Sequence, residues 1–355
     1  MGRLLAWRLA SNRATNEDNG ISFITEIQVF EKGTLNPDLN ECEKAAAFTA
    51  AAMISPMSEL VASELEIYHL GQASLALWPQ WLKQLNCLQH FHAHGSLVLA
   101  HTNDLGELHQ FQRDLDFKLR DSELQHIANA TPPYQLLQNQ QQIAFLEPNI
   151  SPNFQQGLFI KNEAHIDHLP VLGHLIDQAK TLGVNFTENC SVEPNDEALK
   201  DYDIIFDCRG TGLKETGFRG VRGEVIRIEC KEITLKRPIR LMHPRYKLYI
   251  VPKPHHQFVI GATEIESEDR SKISLRSSLE LMSALYAVNP AFAEARIISQ
   301  ETNLRPAYMN NLPRIDILQS THDKTIIRIN GLYRHGYLIG PAVIEQAIQK
   351  ALLWQ

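Results

Sequence analysis

Apolar residues recur along this chain with two periods, one helical and one strand-like, and the alternation between them predicts the order of its elements. Helical spacing predicts helices at 1–10, 45–53, 67–85 with an interruption at Pro79, 104–119, 168–182, 275–288 and 343–353. Alternating or continuous apolar runs predict strands at 21–30, 157–160, 184–186, 204–206, 224–228, 246–251, 258–262, 304–309 and 325–329. The glutamine- and asparagine-rich stretch 138–142 is expected to be a loop. Helix–strand alternation at both ends of a strand-rich middle predicts a discontinuous α/β domain together with an α+β domain.

Length and composition narrow the class of protein. The 355 residues favour two domains, and 21% charged with 44% hydrophobic residues is typical of a soluble protein. A net charge of −7 without a run of Lys or Arg argues against nucleic-acid or anionic-membrane partners. No apolar run reaches the roughly 18 residues of a membrane span, and no signal peptide is recognisable, so a cytoplasmic location is expected. The cysteines form no CxxC pair and indicate reduced thiols: Cys42, Cys87, Cys190, Cys208 and Cys230.

The glycine-rich segment 331–342 lies between an apolar strand-like run and the predicted C-terminal helix. Gly331, Gly336 and Gly340 would let the backbone approach a flat ligand closely, and Pro341 suits the first turn of a helix. The free N–H groups at that helix start favour negative charge, such as that of a reduced flavin. An ordinary strand–helix turn explains the local pattern equally well.

Two further side chains are placed to bind a small anion. Arg305 lies between an apolar strand and a proline, where its guanidinium could form two parallel hydrogen bonds to a carboxylate. The hydroxyl of Tyr249 could bind the same group. A structural salt bridge for Arg305 and packing in the sheet for Tyr249 are the alternatives. Together with the glycine segment, the two residues indicate a pocket for a small amino or keto acid.

Glu31 ends a predicted strand, which is where dinucleotide folds carry the acidic residue that binds ribose hydroxyls. A solvated carboxylate at a strand end is the alternative. The G-x-G-x-x-G motif that normally precedes this residue does not occur in the sequence.

Three histidines in alternation, His90, His92 and His94, raise the question of a metal site, because alternate residues of a strand share one face. No carboxylate lies close by in sequence to complete a ligand set. The sequence therefore predicts no metal.

In their order and spacing, several short motifs resemble the FAD-dependent glycine oxidases of thiamine biosynthesis, in the D-amino-acid oxidase superfamily. The tighter ones are R-G-E at 222–224, Y-I-V-P at 249–252, G-A-T at 261–263, L-R-P at 304–306 and G-x-x-R-x-G at 331–336. The looser ones are 1–6 as the start of the first helix, 29–32 as the second strand, 48–54 as the segment against the flavin, 163–167 and 191–192. In the flavin segment Ala52 replaces a family glycine, and Glu264 follows G-A-T where some relatives carry methionine.

The resemblance implies roles for particular residues. Arg305 and Tyr249 would hold the substrate carboxylate, and Arg334 would lie beside substrate and flavin. The contacts with FAD that it implies are Gly2, Glu31, Lys32, Ala51, Ala52, Met53, Val192, Leu332, Tyr333, Arg334, His335, Gly336, Tyr337 and Leu338. It implies a discontinuous FAD-binding domain at 1–60, 155–215 and 303–355, and a substrate domain at 61–154 and 216–302.

The fold class implied is therefore α/β, with a Rossmann-like FAD-binding domain and an α+β substrate domain on a mainly antiparallel sheet. Gly2 matches the third glycine of the family's phosphate-binding motif, so the first strand and the first two glycines are expected to be missing. Either the true start lies upstream of Met1, which is favoured, or the chain is a degenerate copy.

The activity implied is FAD-dependent oxidation of a small, glycine-like amino acid by oxygen, with peroxide as a product. The imino product is expected to supply thiamine thiazole synthesis, with a thiazole synthase as recipient, and a homo-oligomer is a further expectation. Two alternatives stay open: a homologue without flavin or activity, and an amino acid dehydrogenase with an acceptor other than oxygen.

Overall fold

The computed structural model describes residues 1–14, 24–41, 43–121, 124, 132–245, 248–319 and 324–353. The helices are α1 Gly2–Ala14, α2 Ala46–Thr49, α3 Pro56–Leu60, α4 Leu65–Gln84, α5 Leu105–Lys118, α6 Gln140–Leu146, α7 His168–Thr181, α8 Leu275–Val288 and α9 Gly336–Leu352. The strands are β1 Ile27–Phe30, β2 Met53–Ile54, β3 Phe91–His92, β4 Ser96–Ala100, β5 Gln135–Leu137, β6 Gly157–Ile160, β7 Ala164–Ile166, β8 Val184–Thr187, β9 Ile204–Asp207, β10 Phe218–Glu229, β11 Ile239–Met242, β12 Leu248–Lys253, β13 Gln257–Gly261, β14 Arg296–Tyr308, β15 Arg314–Gln319 and β16 Thr325–Asn330.

The larger half of the fold is an eight-stranded sheet in the order β14-β10-β13-β12-β11-β4-β6-β5. Every pairing in it is antiparallel except that of β4 with β11. Apolar side chains of α8 pack on one face, and those of α5 pack on the other. Burial on both faces explains why its central strands are continuous apolar runs in the sequence.

The other half of the fold contains two small sheets, each with one parallel pair of strands. β1 pairs with β8, and β9 pairs with β16, which also pairs with β15 in the antiparallel sense. Within the described residues, β1 and β9 each have one unpaired edge. The chain thus has the predicted α/β character, with mixed sheets. Two expectations stay predictions: the strand missing from the parallel sheet, and the domain boundaries.

A small third sheet, in the order β2-β7-β3, joins the segment after α2 to the strand that precedes α7. Helices α1, α4, α7 and α9 pack around an apolar core with Trp7, Trp78 and Trp81. None of the helices in the described ranges is long and apolar enough to cross a membrane.

Most of the predicted elements are confirmed with small shifts of their ends. The strand expected at 304–309 is the end of the longer β14, and α4 continues through Pro79 where an interruption was expected. Residues 21–23 of the predicted first strand, Cys42 and Tyr246 lie outside the described residues.

The predictions for 45–53 and 138–142 are also wrong. The helix expected at 45–53 ends at Thr49, because the backbone after it is extended and Ala52 has a φ of +56°. The loop expected at 138–142 is instead the start of α6. Its cap is Asn139, whose side-chain oxygen accepts a hydrogen bond of 3.0 Å from the Gln142 N–H.

The C-terminal helix begins earlier than expected, at Gly336, so Pro341 lies inside α9 and not in its first turn. A proline has no N–H to offer the carbonyl four residues earlier, which here belongs to Tyr337. The indole Nε1 of Trp78 donates to that oxygen at 2.8 Å. A side chain of α4 therefore replaces the missing helical hydrogen bond.

Candidate active site

A cavity of about 2150 Å³ lies between the parallel strands and the eight-stranded sheet. Ordinary small-ligand pockets are roughly 300–1,000 Å³, so this one has room for a large cofactor together with a substrate. All the residues proposed from the sequence lie on its wall: Gly2, Glu31, Lys32, Ala51, Ala52, Met53, Val192, Tyr249, Arg305, Leu332, Tyr333, Arg334, His335, Gly336, Tyr337 and Leu338. The structure brings them together, and the role of each stays a prediction.

Arg305 projects from β14 across the neighbouring strand β10. A Cβ at Gly223 would come within 2.5 Å of the guanidinium, so the glycine leaves space for this side chain. Its two Nη atoms donate to the carbonyl oxygens of Arg222, at 3.2 Å, and Thr263, at 2.9 Å. No carboxylate of the described residues forms an ion pair with it. The cavity therefore contains a positive charge that the surrounding protein holds in place without neutralising it.

Tyr249 lies beside this guanidinium on β12. It is opposite Gly261, where a Cβ would come within 2.9 Å of the phenol oxygen. Burial raises the pKa of Tyr249, and the charge of Arg305 opposes that rise. The phenol therefore keeps its proton at neutral pH and can donate a hydrogen bond to an anion held by Arg305.

Arg334 belongs to a network of charged groups at the same end of the cavity. Its Nη atoms lie 3.1 Å from Glu59 and 3.1 Å from Glu264, and Glu59 also accepts from Arg240 at 2.8 Å. Burial opposes ionisation of Glu59, yet Arg334 and Arg240 hold the pKa of its carboxyl well below the usual value. Nε2 of His335 lies 3.2 Å from the same carboxylate. These contacts fix the position of Arg334.

The first turn of α9 faces the cavity through Gly336, Tyr337 and Leu338. A Cβ at Gly336 would meet open space, as expected for a backbone that a ligand can approach. The other two glycines serve the fold instead. Gly331 has a φ of +76° and packs against Tyr308, and Gly340 faces α1.

The stretch from α2 to β2 is fixed by hydrogen bonds to its backbone. Nζ of Lys253 donates to the Ala51 carbonyl at 2.9 Å, and Nη2 of Arg227 donates to the Phe48 carbonyl at 2.6 Å. Burial lowers the pKa of Lys253 to about 7. Ala52 adopts the left-handed conformation that a glycine favours, with a φ of +56°.

At the opposite end of the cavity, Glu31 follows β1 and accepts a hydrogen bond of 3.1 Å from the Gly33 N–H. Arg3, in the first turn of α1, stacks over the ring of Phe48 at 5.1 Å. Nη1 of Arg3 is buried without a partner among the described residues. Lys32 pairs with the exposed Glu43 and so lies at the rim. A carboxylate and an unpaired guanidinium therefore line this end.

Sequence reasoning missed Glu59, Arg240, Arg3 and Lys253. Glu59 and Arg240 are 181 residues apart, and no local pattern indicates that they meet. The position of Arg3 directly after the motif glycine was the one available signal, because the first turn of such a helix faces the phosphates.

The chain is similar to several known proteins. The profile of the family described as FAD dependent oxidoreductase matches residues 25–348. A protein of Rhizobium etli, provisionally named as the thiamine biosynthesis oxidoreductase ThiO, is 35% identical over 308 residues, which are 86% of this chain and 85% of that protein. The glycine oxidase of Bacillus subtilis is 24% identical over 216 residues, 55% of this chain and 57% of that protein.

Two solved structures have the same fold over nearly the whole chain. The glycine oxidase of Geobacillus kaustophilus superposes with a TM-score of 0.74 at 18% identity, covering 99% of this chain and 92% of that one. The iminodiacetate oxidase of Chelativorans sp. BNC1 gives a TM-score of 0.74 at 17% identity, covering 98% and 91%. At these identities the likeness concerns the fold alone.

Proposed function

We propose that this chain, which belongs to the family of FAD-dependent oxidoreductases, oxidises the amine of a small amino acid, with glycine as the first candidate substrate. The products would be the imino acid, which water converts to the keto acid and ammonia, and hydrogen peroxide where oxygen is the acceptor. The name of the Rhizobium etli relative extends the proposal to supply of the imino product for thiamine thiazole synthesis.

The residues on the cavity wall fit FAD. Arg3 has an unpaired guanidinium nitrogen for the diphosphate, and Glu31 has a carboxylate for the ribose hydroxyls. The non-helical backbone at 50–52 and the first turn of α9 would lie against the flavin ring. We include in this proposal the remaining predicted contacts, from Gly2 to Leu338.

FAD, when bound, supplies the acceptor for the hydride that leaves the substrate Cα. Arg305 would bind the substrate carboxylate through two charge-assisted hydrogen bonds, and Tyr249 would donate a third. Fixing the carboxylate orients the Cα–H bond, and such orientation contributes more to this reaction than an acid or base does. Arg334 would form the wall beside the substrate, held in place by Glu59 and Glu264.

The observation that carries this proposal is the guanidinium of Arg305, which is fixed by two backbone carbonyls and has no carboxylate partner among the described residues. A buried or half-buried charge is normally paired with an opposite charge. A guanidinium that is held in place but has no counter-ion is therefore suited to bind the carboxylate of a ligand.

Oxygen uptake by the FAD-loaded protein with glycine, sarcosine and D-alanine tests the proposal. Uptake with one equivalent of peroxide supports an oxidase. If the amino acid reduces the flavin without oxygen uptake, and an added quinone restores turnover, the protein is a dehydrogenase instead. A protein that is not reduced by any small amino acid contradicts the proposal.

A further inference from the structure

A cluster of metal-ligand side chains lies away from the cavity, on the small sheet β2-β7-β3. His92 on β3 is directly opposite His165 on β7, and Asp167 follows two positions after His165. Alternate residues of an extended segment point to the same side, so all three side chains converge. The sequence offered only the alternating histidines, because Asp167 is 75 residues away from His92.

The three side chains are close enough to share one ion. One ligand atom of each lies within 4.8 Å of the ligand atoms of the other two. Nε2 of His92 lies 2.8 Å from Oδ2 of Asp167, and the rings of His92 and His165 are stacked with centroids 4.7 Å apart. His90 adds a second imidazole 3.4 Å from the same carboxylate oxygen.

Two polar atoms of this cluster are buried without a partner among the described residues. They are Nδ1 of His165 and Oδ1 of Asp167, and each residue is 3% exposed. Lys253 does not satisfy the free oxygen, since its ammonium donates to the carbonyls of Ala51 and Ile166. Unpaired buried groups are costly and uncommon, and they occur here on two adjoining ligand-type side chains.

From this geometry we propose that His92, His165 and Asp167 form a binding site for a divalent transition-metal ion of the Zn²⁺ class. Two imidazoles and one carboxylate are ligands typical of zinc, with solvent able to supply a fourth. Bonds of about 2.0–2.2 Å place tetrahedral ligand atoms roughly 3.4 Å apart, so small side-chain rotations are needed. The side chain of His92 is 31% exposed, which gives the ion a path from solvent.

The place of the site in the fold indicates what the ion would do. It would tie β3 to β7, and β7 pairs with β2, which directly follows the segment at 50–52 on the cavity wall. We therefore expect binding to stabilise the fold. Because the cluster does not line the cavity, no part in the oxidation step is expected.

Calorimetric titration of the tag-free, chelator-treated, FAD-loaded protein with Zn²⁺ tests this proposal. We expect one equivalent to bind, with a Kd in the micromolar range or tighter, and the Tm to rise with Zn²⁺ concentration. Mg²⁺ is expected to have neither effect, because imidazole is a poor ligand for it. Absence of saturable Zn²⁺ binding, or an equal rise in Tm with Mg²⁺, overturns the proposal.

His92→Gln and His109→Gln form a matched pair for locating the site. Each removes one imidazole that makes a side-chain hydrogen bond, but His109 is exposed on α5 and contacts Gln156. We expect His92→Gln to weaken Zn²⁺ binding at least about tenfold and His109→Gln to leave it unchanged. Unchanged binding by a folded His92→Gln variant overturns the assignment. If that variant does not fold, anomalous diffraction at the zinc edge decides: a peak between the three side chains supports the site, and a peak elsewhere refutes it.

Discussion

The two ends of the cavity differ in how their charged side chains are paired with other protein groups. At the proposed substrate end, Glu59 joins Arg240 and Arg334, and backbone carbonyls fix Arg305. At the proposed nucleotide end, Arg3 lies on the cavity wall, and its buried Nη1 has no hydrogen-bond partner among the described residues. The three guanidinium groups at the first end are each held by protein groups, whereas one nitrogen of Arg3 at the second end has no partner among the described residues. We therefore expect changes at the first end to alter turnover or stability, and changes at the second to alter FAD affinity.

The largest effect is expected for Arg305→Ala. Loss of two charge-assisted hydrogen bonds should remove about 2–4 kcal/mol of transition-state binding, which lowers kcat/KM about 30- to 1000-fold. The matched control is Arg219→Ala, because Arg219 is on β10 outside the cavity and pairs with the exposed Glu266. Steady-state kinetics with glycine measure both variants. Near-normal kcat/KM in Arg305→Ala would show that another group binds the carboxylate.

Glu59→Gln should chiefly change stability. The Glu59 side chain is 13% exposed, and its loss leaves Arg240 and Arg334 without their shared counter-ion, so unfolding should become easier by about 3 kcal/mol at pH 7. Glu43→Gln, which breaks an exposed pair with Lys32, should change stability by less than about 0.5 kcal/mol. Denaturant unfolding of both variants measures the difference.

The pH dependence of stability gives a further test of the role of Glu59. Because the folded-state pKa of Glu59 is depressed, its contribution is fully present above the unfolded pKa of about 4.3 and is lost as the pH falls through the lower folded value. The difference between wild type and Glu59→Gln should therefore shrink in acid. A difference that stays constant down to acid unfolding would contradict this account of the network.

Arg3→Met tests the other end of the cavity. Removing one cation near the diphosphate should weaken FAD binding about tenfold, while kcat of the FAD-saturated enzyme stays within about twofold. Arg8→Met is the control on the same helix, since Arg8 pairs with Glu345 away from the cavity. Fluorescence titration with FAD measures the affinity. A loss of kcat at saturating FAD would mean that Arg3 contributes to turnover as well as to FAD binding.

Ala52→Gly should have the smallest effect. Removing the strain of the positive φ should raise the free energy of unfolding by about 1–2 kcal/mol. The greater freedom of glycine in the unfolded chain offsets about 0.4–1 kcal/mol of this gain, so a small net rise in stability is expected. Ala51→Gly, at a position without a positive φ, should lower stability by about 1 kcal/mol. Thermal unfolding of the two variants compares them, and equal losses would show that φ at 52 is not strained.

The sequence predicted the long periodic elements well, because the apolar faces of α4, α5 and α8 carry a strong helical signal. It failed where other contacts decide the backbone. The segment at 50–52 is alanine-rich and helix-prone, but Lys253 and the strand pairing of β2 hold it in a non-helical conformation. The cap at Asn139 was overlooked in a polar stretch that resembled a loop.

For the site, short motifs in the right order were enough to place Arg305, Tyr249 and Arg334 on one cavity. Their partners could not be predicted, since Glu59 and Arg240 come from distant elements and match no motif. The conformation of Ala52 could not be predicted either, because the sequence shows an alanine but not the positive φ that it adopts.

Anaerobic mixing of the FAD-loaded protein with glycine tests whether Arg305 holds the amino acid for oxidation by the flavin, since it records flavin reduction without regard to the later acceptor. We expect the visible flavin absorbance to bleach in wild type, and to bleach about 30- to 1000-fold more slowly in Arg305→Ala at the same subsaturating glycine concentration. Failure of glycine, sarcosine and D-alanine to bleach the wild-type flavin, or equal rates in the two proteins, would contradict it.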